Sequence, residues 1–182
     1  MPLLEQPVYL RLPTENEEPL FERRSCAEVV ISAVMRAQQS GWMHLHGFVV
    51  LPETLELVAT PLKLSVSALV GYLESETIPL LGVLIPNTDL IWNRYFMRTP
   101  LETQRSLDAR LKILLLAPVA RGLAETAESY AYSSANPRYA GATSAFLGFQ
   151  SSHLDDTVKS PGETQEIPST SADNPPAAHS DS

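Results

Sequence analysis

Residues 42–60 read WMHLHGFVVLPETLELVAT, and this stretch decides the fold. Side chains alternate from Trp42 and become nearly all apolar at Phe48-Val49-Val50-Leu51. Pro52-Glu53 supplies a turn, and Thr54 to Thr60 returns with Leu55 and Leu57 on one face. Two period-2 runs joined by two turn-forming residues predict a β-hairpin.

Upstream, Ser25-Cys26-Ala27-Glu28 has the form of a capping box, in which Ser25 takes a free amide and Glu28 reaches back. Ala27, Val30, Ile31, Val34 and Ala37 give the predicted helix an apolar face, and Ser40-Gly41 ends it. Val8, Leu10 and Leu12 alternate with Tyr9 and Arg11, which predicts a first strand before a polar loop at 13–19. Downstream, Val66, Leu69, Val70 and Leu73 predict a second helix over 65–76, and residues 89–98 read as extended. Thr99-Pro100-Leu101-Glu102 places a cap, a first-turn proline and an acidic N3 residue in order, predicting a third helix through Leu107, Leu111, Leu114 and Leu115 that stops at Pro118. A short segment, 119–128, then precedes Tyr130-Ala131-Tyr132-Ser133-Ser134. The order β-α-β-β-α-β with a further helix predicts an α+β, ferredoxin-like (split β-α-β) sandwich with an additional C-terminal helix. Such a fold names no function by itself.

Composition divides the chain. Residues 1–150 form one domain of ordinary size, whereas 151–182 is rich in Ser, Pro, Thr, Asp and Glu and reads as a disordered acidic tail, because too few apolar side chains oppose chain entropy. Net charge is −8, of which the tail carries −5. Residues 91–121 run against that background: Arg94, Arg98, Arg105, Arg110, Lys112 and Arg121 face only Glu102 and Asp108. An acidic whole argues against tight non-specific nucleic-acid binding, while a local basic stretch supports a salt-sensitive form of it. The longest apolar run, Ile113 to Val119, contains Pro118 and is too short to span a bilayer, and Met1–Pro7 has no signal-peptide pattern. Cys26 is the only cysteine, so no intrachain disulfide forms. A reducing, cytoplasmic location with no membrane partner is the expectation. Cys26 itself reads as a small core hydrophobe.

Four segments, in order, resemble the REP-associated tyrosine transposases, single-strand-DNA transposases known for a His-hydrophobic-His motif. Gly47-Phe48-Val49-Val50-Leu51-Pro52 resembles the strand leading into the family's M-P-N-H-x-H, and Ile91-Trp92-Asn93-Arg94-Tyr95-Phe96 resembles W-Q-x-R-Y-x-x. Leu116-Ala117-Pro118-Val119-Ala120-Arg121-Gly122-Leu123 is similar to Y-I-x-x-N-P-V-x-x-G-L, and 130–134 is similar to W-P-W-S-S. The resemblance spans roughly residues 7–140 and implies a site in which two histidines hold a divalent metal that polarises a scissile phosphate. A helix-borne tyrosine attacks, leaving a 5′-phosphotyrosine, and an amide one turn later helps to hold the metal. This chain departs from that pattern throughout: Thr54 and Glu56 stand where the histidines would, Ile113 where the tyrosine would, and Ala117 where the amide would. Only Glu56 is of a type that binds Mg²⁺ or Mn²⁺. The resemblance therefore implies a transposase scaffold with no intact catalytic residue and no cofactor, Mg²⁺ or Mn²⁺ being needed only where activity survives.

His44-Leu45-His46 is a His-hydrophobic-His triplet, but it lies ten positions before Thr54 and Glu56 and reads as the polar face of a strand. Tyr95, Tyr130 and Tyr132 occupy positions that are aromatic in the family and read as packing residues. The basic stretch reads equally as a DNA-facing surface or as a solvated one paired with Glu102 and Asp108. The resemblance implies single-stranded or hairpin DNA as partner. The rivals are a homodimeric interaction module, an active enzyme using Glu56 and a displaced tyrosine, and a relic.

Overall fold

The computed structural model describes residues 6–62, 65–88 and 90–149. The chain divides after Phe149 into two units, and the second, with the tail expected at 151–182, lies outside the described residues. The elements run β1 (Val8–Pro13), α1 (Arg24–Gln39), β2 (Met43–Leu51), β3 (Thr54–Pro61), α2 (Val66–Leu84), β4 (Met97–Pro100) and α3 (Gln104–Ala120). The strands form one antiparallel sheet in the order β2-β3-β1-β4, the split β-α-β, ferredoxin-like arrangement.

Alternation along the strands divides the core. Leu10 and Leu12 of β1, Phe48 and Val50 of β2 and Leu55 and Leu57 of β3 pack against α1 and α2. Tyr9, Val49, Leu51 and Val58 point the other way and meet Leu107 and Leu114 of α3. The sheet therefore lies between a helix pair and a single helix. Gly47 sets the closeness of α3, since a Cβ there would stand 2.8 Å from Leu111 Cδ2. The hairpin predicted at 42–60 forms with Leu51 opposite Thr54. Residues 132–134 lie along the outer edge of β2, where Val50 N–H donates to the Tyr132 carbonyl (2.8 Å) and Ser134 N–H to the Phe48 carbonyl (2.9 Å). That covers a row of backbone groups that would otherwise face solvent.

Element ends differ from the sequence reading for physical reasons. The first helix begins at Arg24, with Arg23 at its cap and no side-chain cap bond, so Ser25-Glu28 is not a capping box. Glu28 is instead engaged by Arg24 one turn before it, at 3.0 Å. The second helix does not stop near Glu76. It passes through Pro79 to Leu84, because Thr77 and Leu81 are buried and hold the second half against the core. Among the described residues of 89–98 only Met97 and Arg98 are in a strand, which continues through Thr99 and Pro100 opposite Tyr9 and Val8. With Thr99 and Pro100 used in β4, the cap of α3 moves to Thr103, which forms a reciprocal capping box with Ser106. Pro118 does not end this helix, which reaches Ala120; Gly122, at φ 70°, takes the left-handed conformation that turns the chain away.

Candidate nucleic-acid interface

The surface between α3 and the β1–β3 part of the sheet holds the positions singled out above. Cross-strand neighbours share a face. The register Met97–Arg11–Glu56–Val49 therefore lies on the α3 side, as does Tyr9. Arg110, Ile113, Ala117 and Arg121 fall three or four apart along α3 and its C-cap, on one flank of the helix. Arg110 shows where that flank looks, for its guanidinium carbon sits 4.4 Å from the centre of the Tyr9 ring.

Thr54 is fully buried and its hydroxyl donates to the Leu12 carbonyl at 3.1 Å. Glu56 accepts from the Tyr9 hydroxyl at 3.0 Å, and its other oxygen stands 3.6 Å from Arg11 Nε. Arg11 also reaches Glu17 at 3.1 Å, and Arg121 pairs with Glu53 in the hairpin turn. Burial, then the negative charge of Glu56 and its hydrogen bond, hold the Tyr9 phenol well above its ordinary range. The hydrogen bond to Glu53 raises Arg121. Three guanidinium groups and three carboxylates thus form one cluster. Tyr9, Arg11, Glu17 and Glu53 escaped the sequence reading, because which strands pair, and in what register, is set by tertiary packing. The alternation of β1 did place Tyr9 and Arg11 together.

A divalent ion does not fit these residues. Thr54 offers a hydroxyl already bonded inside the sheet, the oxygens of Glu56 face Tyr9 and Arg11, and no group of three His, Cys, Asp or Glu side chains among the described residues is arranged to hold a metal. Ile113 is 60% exposed and supplies no nucleophile, and Ala117 supplies no donor. The His44–His46 triplet forms no chelate either, since His44 is exposed and both nitrogens of buried His46 are used. Nδ1–H donates to the Ser144 carbonyl (2.6 Å), which fixes the tautomer, and Nε2 accepts from the Thr60 hydroxyl (2.8 Å). Burial lowers the pKa of this ring.

The remaining cations are spread more widely than their sequence spacing implied. Arg105 and Lys112 are exposed on the outer side of α3, and Arg98, opposite Leu10, is on the helix-pair side of the edge strand. Arg94 is exposed just before that strand. None of the four makes an ion pair among the described residues, and Asp108 accepts from Gln104 instead (2.7 Å). Of the three tyrosines, Tyr130 packs and donates to the Val50 carbonyl (2.9 Å), and burial pushes its pKa up to about 12. Tyr132 packs beside it, ring centroids 5.7 Å apart. Tyr95 departs from the packing role read for it, being 76% exposed. Cys26 is buried in the core.

No family model matches the chain, and no curated protein matches it in sequence. Among solved structures, a REP-associated tyrosine transposase bound to a REP hairpin superposes with a TM-score of 0.63 at 12% identity, over 79% of this chain and 84% of that one. At that identity the likeness is one of fold, and the chain has a transposase-like fold. Among the described residues no helix is long and apolar enough to cross a membrane.

Proposed function

We propose that this chain is a DNA-binding member of the transposase-like fold that grips single-stranded or hairpin DNA through its phosphates and does not cut it. The observation that carries the reading is the occupancy of the cleft: Glu56 is held by Tyr9 and Arg11, with Arg110 stacked beside them and Ile113 on the helix above. Strand transfer of the kind the resemblance implies needs metal ligands and a nucleophile. To free Glu56 for a cation, the buried Tyr9 hydroxyl would lose its acceptor, which costs about 1–3 kcal/mol. Fixed guanidinium groups can attract phosphate without activating it. The similar solved structure, which holds a REP hairpin, supports the choice of ligand.

Affinity comes from Arg94, Arg98, Arg105 and Lys112, which are exposed and unpaired among the described residues, with Arg110 and Arg121 held closer to the sheet. Binding is weak and falls with salt, as counterion release requires. Changing Arg94, Arg98 and Arg105 together to Glu abolishes binding to a fluorescent hairpin oligonucleotide at low salt; binding unaffected by that change overturns the reading. One observation favours a second reading, a homodimerisation module without DNA binding: Ile113 and Leu116 leave apolar surface exposed on α3. That reading requires a dimer by light scattering that Ile113→Asp and Leu116→Asp dissolve, with no hairpin binding at low salt.

A further inference from the structure

An exposed tyrosine held on a pinned backbone beside two arginines is a platform for an unpaired base, and we propose that Tyr95 is one. The proposal rests on the DNA-binding reading and names where on the chain a single-stranded segment is held. Tyr95 is 76% exposed, although its neighbours in sequence are firmly anchored. On one side Ile91 and Trp92 are buried, and the Trp92 indole N–H donates to the Thr77 hydroxyl at 2.9 Å. Asn93 N–H donates to the Pro13 carbonyl (2.9 Å), and the Asn93 side-chain oxygen accepts from Tyr95 N–H (2.9 Å). On the other side Phe96 packs against the core under α1 and α2, and Met97 enters β4 opposite Arg11. The backbone of Tyr95 is therefore fixed while its ring is left in solvent.

A large ring in water gains by covering its face, and a pre-set backbone reduces the entropy lost on doing so. The chemistry around it selects the occupant. Arg94 and Arg98 are exposed, make no ion pair among the described residues, and lie one and three positions from Tyr95, Arg94 just before the edge strand and Arg98 within it. An exposed ring with unpaired cations close to it along the chain complements a flat, aromatic, polyanionic ligand. Single-stranded nucleic acid has that character, with bases that stack and phosphates that pair with arginine. In a duplex the base faces are already covered, so the occupant is an unpaired base in a loop or an overhang.

The test measures affinity for a fluorescein-labelled oligothymidine strand and for a blunt-ended duplex, using the full chain and its variants. Tyr95→Ala is expected to weaken binding to the oligothymidine by roughly 5- to 150-fold, the range for losing one stacked base. The salt slope stays unchanged, and binding to the blunt-ended duplex, which offers no unpaired base, changes little. Tyr95→Phe keeps the ring and retains affinity. An exposed side chain is being changed, so thermal melts of the variants should match the parent. Stacking is overturned, with the DNA-binding reading intact, if Tyr95→Ala binds like the parent while the triple arginine variant does not. It is also overturned if Tyr95→Phe loses as much as Tyr95→Ala, which would place the effect in the hydroxyl. If the parent binds neither oligonucleotide, both readings fall together.

Discussion

At the scale of single residues, the side chains that would carry chemistry are used for structure. Glu56 is the acceptor for a buried phenol, and removing it strands that phenol. Glu56→Ala is expected to lower stability by about 1–3 kcal/mol in urea denaturation. Because Glu56 is engaged, Mn²⁺ should leave the Tm of the parent chain unmoved; a rise with Mn²⁺ that Glu56→Ala removes would show a metal site. His46 gives a pH signature. Its ring is held neutral by burial, with a folded-state pKa below the ordinary value of about 6.5. The unfolded chain therefore binds a proton that the folded chain resists, and the stability present above the unfolded pKa is lost as pH falls toward the folded one. The Tm should drop between about pH 7 and pH 5, and His46→Gln should flatten that drop; parallel curves would contradict it.

At the scale of elements, the sheet and its helices depend on a few close fits. Gly47 lets α3 lie directly on β2, so Gly47→Val should cost about 1–3 kcal/mol through overpacking against Leu111, read from the urea midpoint. Pro79 is exposed inside α2 and denies the Ser75 carbonyl its helical partner. Pro79→Ala should raise the unfolding free energy measured in urea by up to about 3 kcal/mol; a fall would mean that the proline's restriction of the unfolded chain outweighs the missing bond. These elements also show what was legible in the sequence. The hairpin, the order of elements and the apolar faces of α1 and α2 could be read because periodicity encodes them locally. The end of α2 could not, because buried Thr77 and Leu81 hold the helix past Glu76, nor could the start of α3, because strand pairing overrules local capping chemistry. Thr99 fits a cap in sequence, but its pairing with Tyr9 places it in a strand.

At the scale of the whole molecule, the proposal is of a transposase-like fold that binds DNA without cutting it. The resemblance in four short segments pointed to the fold, and the solved structure that superposes on this chain bears that out at the level of fold. The candidate site was only half legible. Thr54, Glu56, Ile113 and Ala117 could be aligned to motifs, but Tyr9 and Arg11, the partners of Glu56, lie far from it in sequence and meet it only through strand pairing, and Arg121 reaches Glu53 only across the fold. The exposure of Tyr95 was hidden for the same reason, since aromatic character alone reads as core. The most direct test is a titration of the purified chain against a fluorescent hairpin oligonucleotide with Mn²⁺, at low and moderate salt. The mixture is then boiled in detergent and run on a gel. The account predicts a salt-sensitive complex that falls apart on the gel; a protein–DNA band that survives boiling would be a covalent intermediate and would contradict it.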